Sequence, residues 1–264
     1  MTWSLLSLVP LGLLTGLLSG LLGIGGGLVF SPLLLLVGLD PHHALATSTL
    51  AIVPTGLGGT LAHVQSRSIP WRAGLAIASG AGFGALVFSH VGFGLAGWQL
   101  LSLQALMYGA LAITIGPKPV EAPDPTPTSP TLPLAGLVGV GSAAGMLGGL
   151  LGVGGGLVMV PLMVRLLGLP VRLAIRLSML GVLTAASAAT VTFLQDGRAL
   201  LPMGLTLGWS AAVAAHWSAS RLNRVPEHWL VWMLRAITLL LALDSGRRAL
   251  GLLLEVLHGP TALA

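Results

Sequence analysis

Two short glycine clusters, Gly23-Ile-Gly-Gly-Gly27 and Gly152-Val-Gly-Gly-Gly156, are the places in this sequence where chemistry can be done without a reactive side chain. Each opens onto an apolar run of helical character, so the backbone N–H groups of the cluster fall at a helix N-terminus. The first four N–H groups of a helix have no internal partner and carry the positive end of its dipole. With no side chain in the way, an anion can approach those amides closely. In hydrocarbon an unpaired amide is costly, so an oxyanion or a water must satisfy it. Gly23, Gly25, Gly26 and Gly27, with Gly152, Gly154, Gly155 and Gly156, are therefore candidate anion ligands. The competing reading is close helix packing, for which glycine-rich faces are common in membranes. Neither cluster has the Lys-Ser/Thr of a phosphate loop or the G-x-G-x-x-G spacing, which disfavours a nucleotide.

Hydroxyls and one cation add to this set. Thr47, Ser48 and Thr49 fall near the start of the next segment, and an offset of 130 aligns them with Leu177, Ser178 and Met179. Serine is thus present in both copies. A cavity-facing Ser48, Ser178 or Thr47 hydroxyl can donate to an oxyanion, whereas a hydroxyl turned onto its own helix carbonyl cannot. Arg176 stands where the first copy has Ala46. A charge about five residues into an apolar helix either attracts the anion or snorkels to lipid headgroups beside Arg172. An unperturbed histidine titrates near neutral pH, so His63 is a candidate proton relay, but its counterpart is Phe193. His42-His43 lacks helical metal spacing, and Asp244 has Arg247 and Arg248 one turn away as partners. No Ser/His/Asp set and no paired carboxylates emerge, so the reading is of a non-enzyme needing no cofactor.

The elements that must position these groups are duplicated. Gly20–Pro32 and Gly149–Pro161 are offset by 129 residues (149 − 20) and are identical at ten of thirteen positions. Glycine-broken apolar segments at matching places in two halves are a pointer to a transporter binding site. Apolar segments run roughly Leu5–Leu22, Gly25–Leu39, Ala44–Val64, Ala73–Gly94 and Leu100–Ile115, then Leu134–Leu151, Gly154–Leu169, Val171–Leu194, Leu200–Ser218 and Trp229–Leu243. The spacing predicts an all-α polytopic membrane protein of two inverted-topology repeats. Each repeat has about five helical segments, with short or broken helices at the glycine motifs. Residues 1–115 form the first repeat, 116–133 a proline-rich linker and 134–264 the second repeat.

Only 7% of the 264 residues are charged, against about a quarter in soluble domains. Such a chain cannot cover its surface for water. Its basic residues are scattered between apolar runs, which excludes a nucleic-acid-binding stripe. The absence of cysteine excludes disulfides, thiol catalysis and cysteine–metal sites. No basic residue precedes Arg67, so the first segment reads as a retained span rather than a leader with a positive n-region. The segments beginning at Gly25 and Gly154 are short enough to be arms of re-entrant hairpins. Each half makes either five crossings or a hairpin followed by three, and both counts are odd, which inverts the second half. An outside N-terminus places Arg67, Arg72, Lys118, Arg165, Arg172, Arg176, Arg221 and Arg224 at the inside and Arg198, Arg247 and Arg248 outside. Basic residues favour the cytoplasm, so both termini are expected outside and the linker inside.

The duplicated Gly-Leu-Leu-Gly-[Ile/Val]-Gly-Gly-Gly…Pro unit, Ala44-Leu-Ala-Thr-Ser48, Gln65-Ser-Arg-Ser-Ile-Pro-Trp71 and the stretch Gly204…Gly208…Arg221-Leu-Asn-Arg-Val-Pro226 resemble the sulfite exporter TauE/SafE family. The resemblance covers nearly the whole chain apart from the linker. It implies a bacterial inner-membrane carrier for sulfite, a sulfonate or another small anion, driven by an ion gradient such as H+ or Na+. A homo-oligomer is compatible with it. Two rival readings are a carrier of another solute, such as a metal cation, and an intramembrane enzyme or assembly factor. Few carboxylates in the apolar segments oppose the first, and the lack of a catalytic constellation opposes the second.

Overall fold

A computed structural model describes residues 7–114 and 133–258; the linker expected over Gly116–Pro133 lies outside the described residues except for Pro133 itself. Among the described residues every regular element is helical. The first half comprises α1 (Leu8–Leu22), α2 (Gly27–Leu36), α3 (Pro41–Gln65), α4 (Trp71–Val91) and α5 (Gly97–Thr114). The second comprises α6 (Leu134–Leu151), α7 (Gly156–Leu166), α8 (Val171–Gln195), α9 (Leu201–Ala219) and α10 (Glu227–His258). Five of these, α3, α4, α6, α8 and the Glu227–Leu254 part of α10, are long and apolar enough to cross a membrane. Large apolar side chains such as Phe83, Trp209, Val213 and Leu240 stand exposed on the outer helices, a surface suited to lipid and not to water.

The second helix of each half begins two residues later than the sequence suggests, at Gly27 and Gly156. Gly25 and Gly26 have φ of +74° and +84°, and Gly154 and Gly155 both have +74°. That left-handed backbone cannot continue a right-handed helix. The chain therefore turns back on itself at each cluster. Gly26 comes to rest beside Thr15 of α1, and Gly155 beside Ala144 of α6. α2 and α7 have 10 and 11 residues, or about 15 Å at the helical rise. That is half of a hydrocarbon core of about 30 Å, so neither can cross alone.

Two other boundaries have local causes. Asp40 caps α3, its Oδ1 accepting from the N–H groups of His42 at 2.9 Å and His43 at 3.2 Å. The last helix runs fifteen residues past the expected Leu243 (258 − 243). Asp244 accepts from Arg247 at 3.3 Å and Arg248 at 2.9 Å, so the charges beyond the apolar segment pair along one helix face as their spacing suggests.

Packing crosses between the halves. α1 runs alongside α9 in the same direction: Gly12 faces Leu207 and Ser210, Gly16 faces Ala211, and Gly20 faces Ala215 and Ser218. The counterparts pair in the same way, Gly141 of α6 facing Ile77 of α4, Gly145 facing Ala81 and Gly149 facing Ala85. At each of these glycines a side chain would overlap the neighbouring helix backbone, so small residues let the axes approach closely. α3 lies against α8 in the opposite sense, Gly56 by Leu183 and Gly59 by Met179. The first hairpin is thus gripped by a helix of the second half, and the second hairpin by a helix of the first.

Candidate functional site: two opposed glycine turns

Each turn is built in the same steps. Gly23, at φ +70°, closes α1 with its N–H donating to Ser19 O at 2.8 Å. Gly152, at φ +65°, closes α6. Gly26 and Gly155 then act as N-caps. The Gly26 carbonyl accepts from Val29 and Phe30 at 3.0 Å each, and the Gly155 carbonyl from Val158 and Met159 at 3.0 and 3.1 Å. Among the described residues the N–H groups of Gly25 and Gly26, and those of Gly154, Gly155 and Gly156, make no hydrogen bond to a carbonyl or side chain. All of these residues are buried. Two helix N-termini with free donors are thereby held inside the protein.

The turns meet at its centre. A methyl on Gly27 would lie 2.6 Å from the Val153 carbonyl oxygen, and a methyl on Gly156 would lie 2.6 Å from that of Gly23. The tip of each hairpin therefore presses backbone to backbone on the other. Three glycines that look equivalent in the sequence face three directions. Gly26 and Gly155 face their own hairpins, at Phe30 and Thr15 and at Ala144. Gly27 and Gly156 face the opposite hairpin. Gly25 and Gly154 face the middle, towards Ile52 of α3 and Val182 of α8. These two residues sit near the midpoints of 25-residue helices, which puts the turns far from either helix end.

The hydroxyls fasten this arrangement. Ser48 Oγ lies 3.4 Å from both Gly27 O and Gly152 O. Ser178 Oγ lies 2.8 Å from both Gly23 O and Ile175 O. Each serine thus donates across to the glycine turn of the other half, and the serine shared by both copies acts as a reciprocal strut. A hydroxyl has a single proton to donate, and here it is spent on carbonyl oxygen. Thr47 Oγ1 accepts from Leu200 N–H at 3.0 Å and anchors the start of α9. Thr49 bonds its own helix at Leu45 O, 2.8 Å away.

Arg176 is half-buried, its Nη2 donating to Asn223 Oδ1 at 2.7 Å. Arg172 reaches the same segment, 3.2 Å from Val225 O and 3.8 Å from Glu227 Oε1. Both arginines tie the start of α8 to the α9–α10 connection. The structure brings the glycines, Ser48 and Ser178 together, while the Thr47 and Arg176 side chains bond Leu200 and Asn223 instead. Sequence reasoning missed Ile52 and Val182. Their one signal was equivalence under the 130-residue offset, which apolar residues share with many others.

Comparison with known proteins places the chain among membrane transporters. The model of the sulfite exporter TauE/SafE family matches residues 8–244. The chain is 26% identical over 263 residues to the probable membrane transporter protein YunE of Bacillus subtilis, covering 90% of this chain and 96% of that one. It is 29% identical to a probable membrane transporter protein of Xylella fastidiosa, covering 84% and 90%. A probable membrane transporter protein of Haemophilus influenzae is 33% identical, with 61% and 62% covered. No solved structure matches. With both glycine turns and all ten α-helices of the described residues reached by the match, this multi-pass membrane protein belongs to the sulfite exporter TauE/SafE family of transporters.

Proposed function

We propose that this chain is a secondary transporter carrying a small sulfur-containing or organic anion, such as sulfite or a sulfonate, across the bacterial inner membrane. The observation that carries the reading is the burial of two opposed helix N-termini at which the amides of Gly25, Gly26 and Gly154–Gly156 have no acceptor among the described residues. Such amides offer an oxyanion several donors and the positive ends of two dipoles. No fixed cation is needed, so the anion is held without the tight charge pairing that would slow its release. Flux measured with purified protein in liposomes tests the proposal. Sulfite or a sulfonate should move saturably down an imposed gradient. Protein that is folded but carries none of sulfite, sulfate, thiosulfate, sulfonates or carboxylates would refute it.

Two hairpins approaching from opposite faces suit alternating access, in which each half rocks against the other around a shared site. The exchanged pairing of α1 with α9 and of α6 with α4 supports inverted repeats over residues 1–115 and 134–264, joined by the 116–133 linker. On this reading the Arg67 turn and the linker lie in the cytoplasm, while the Gly92–Gly94 turn and both termini lie outside. Reporter fusions after Ser68 and after Gly94 should then report opposite faces. The same face for both would remove the topology.

A further inference from the structure

The Ile52 and Val182 side chains occupy the space that the glycines leave open. A methyl on Gly154 would lie 3.2 Å from Ile52 Cδ1 and 3.2 Å from Val182 Cγ1, and one on Gly25 would lie 3.1 Å from Ile52 Cγ2 and against Val182 Cγ1. Ile52 Cδ1 also abuts Gly27, and Val182 Cγ2 lies 2.5 Å from a methyl position on Gly156. Each side chain is thus wedged between both turns. Both are fully buried and belong to one apolar cluster with Phe30, Leu34 and Ala186. They are equivalent under the 130-residue offset (182 − 52), and both are β-branched. β-Branching leaves a helical side chain essentially one χ1 rotamer.

We infer that Ile52 and Val182 form a two-residue apolar plug that seals the glycine amides from solvent and must be displaced before a small oxyanion can reach them. As an inference about access to the glycine turns, it rests on the function proposed above. It assigns to α3 and α8 the part of movable walls, each carrying one half of the plug at its midpoint. The stiffness of the two side chains then matters: a rigid wedge clears the turns only when its helix moves, and not by a change of rotamer. The plug also sets the size of the occupant, because the space gained is that of two short branched side chains facing glycine. A compact three- or four-oxygen anion fits that description better than an extended chain.

The plug has a readout that needs no substrate. Gly23, Gly152 and Val153 donate to the helix before them, whereas the amides of Gly25, Gly26 and Gly154–Gly156 have no acceptor among the described residues, so exclusion of water is what slows exchange at those five positions. Deuterium uptake should be followed in the detergent-purified full chain for peptides spanning Gly23–Gly27 and Gly152–Gly156. Ile52→Ala/Val182→Ala should speed exchange in both turns by on the order of tenfold, equivalent to about 1.4 kcal/mol of opening free energy. Peptides from α4 should exchange as in the wild type. Unchanged turn exchange in the folded variant would overturn the plug. If the double variant also loses protection in α4, the smaller change Val182→Ala is read in the same way, with faster turn exchange supporting the plug and unchanged exchange refuting it. Failure of the wild type to carry any anion would defeat the proposed function while leaving this comparison to decide the plug.

Discussion

Gly154→Ala should give a folded protein that no longer binds or carries the anion. Among the turn glycines it is the position where a methyl group enters the centre at least steric cost. Its nearest neighbours would be the ends of the Ile52 and Val182 side chains, 3.2 Å away, rather than backbone. The φ of +74° adds a penalty of about 1–2 kcal/mol, which lowers the melting temperature without abolishing the fold. A methyl at that point stands between the two helix N-termini, where the proposed anion must sit. Liposome flux should fall to background, and stabilisation by sulfite or a sulfonate should weaken at least tenfold in concentration, about 1.4 kcal/mol. A monodisperse Gly154→Ala protein with wild-type flux would remove the centre of the account.

Gly27→Ala/Gly156→Ala should instead prevent assembly. These two glycines are in ordinary helical conformation, so an added methyl meets no backbone strain. Each would lie 2.6 Å from a carbonyl oxygen of the opposite hairpin. Backbone cannot rotate away as the end of a side chain can, so both hairpin tips must separate. Overpacking of this kind costs about 1–3 kcal/mol per site, and the pair acts on a single contact. The Ser48 and Ser178 struts span the same junction and would lengthen with it. We expect the double variant to lose its monodisperse peak in fluorescence-detected gel filtration. A folded, transporting double variant would show that the hairpin tips need not touch.

The hairpins were legible in the sequence because duplication marks them twice and glycine is the residue that tolerates their left-handed turns. Charge patterning was less informative about helix ends. The last apolar segment stops near Leu243 in the sequence, yet α10 continues to His258 through the expected i,i+3 and i,i+4 pairing of Asp244 with Arg247 and Arg248. The site was legible only in part. Gly25, Gly26 and Gly27 are one chemical type, and three different jobs fall to them because successive positive φ values swing each residue to a different neighbour. Ser48 and Ser178 were visible as a repeated hydroxyl. What they bond was not visible, since a serine in a membrane helix has carbonyls of its own and of other helices to choose from. Ile52 and Val182 could not be singled out, because an apolar residue in an apolar helix carries no local sign that it fills a site.

Transport through the glycine turns requires that the anion sit between them. Selenite, a sulfite analogue with a strong anomalous scatterer, can be introduced into crystals of the wild-type protein. An anomalous peak is expected between Gly25–Gly27 and Gly154–Gly156, within hydrogen-bonding distance of the turn amides, with Ile52 and Val182 moved aside. A bound selenite elsewhere in the protein, with both turns still closed over by Ile52 and Val182, would contradict it.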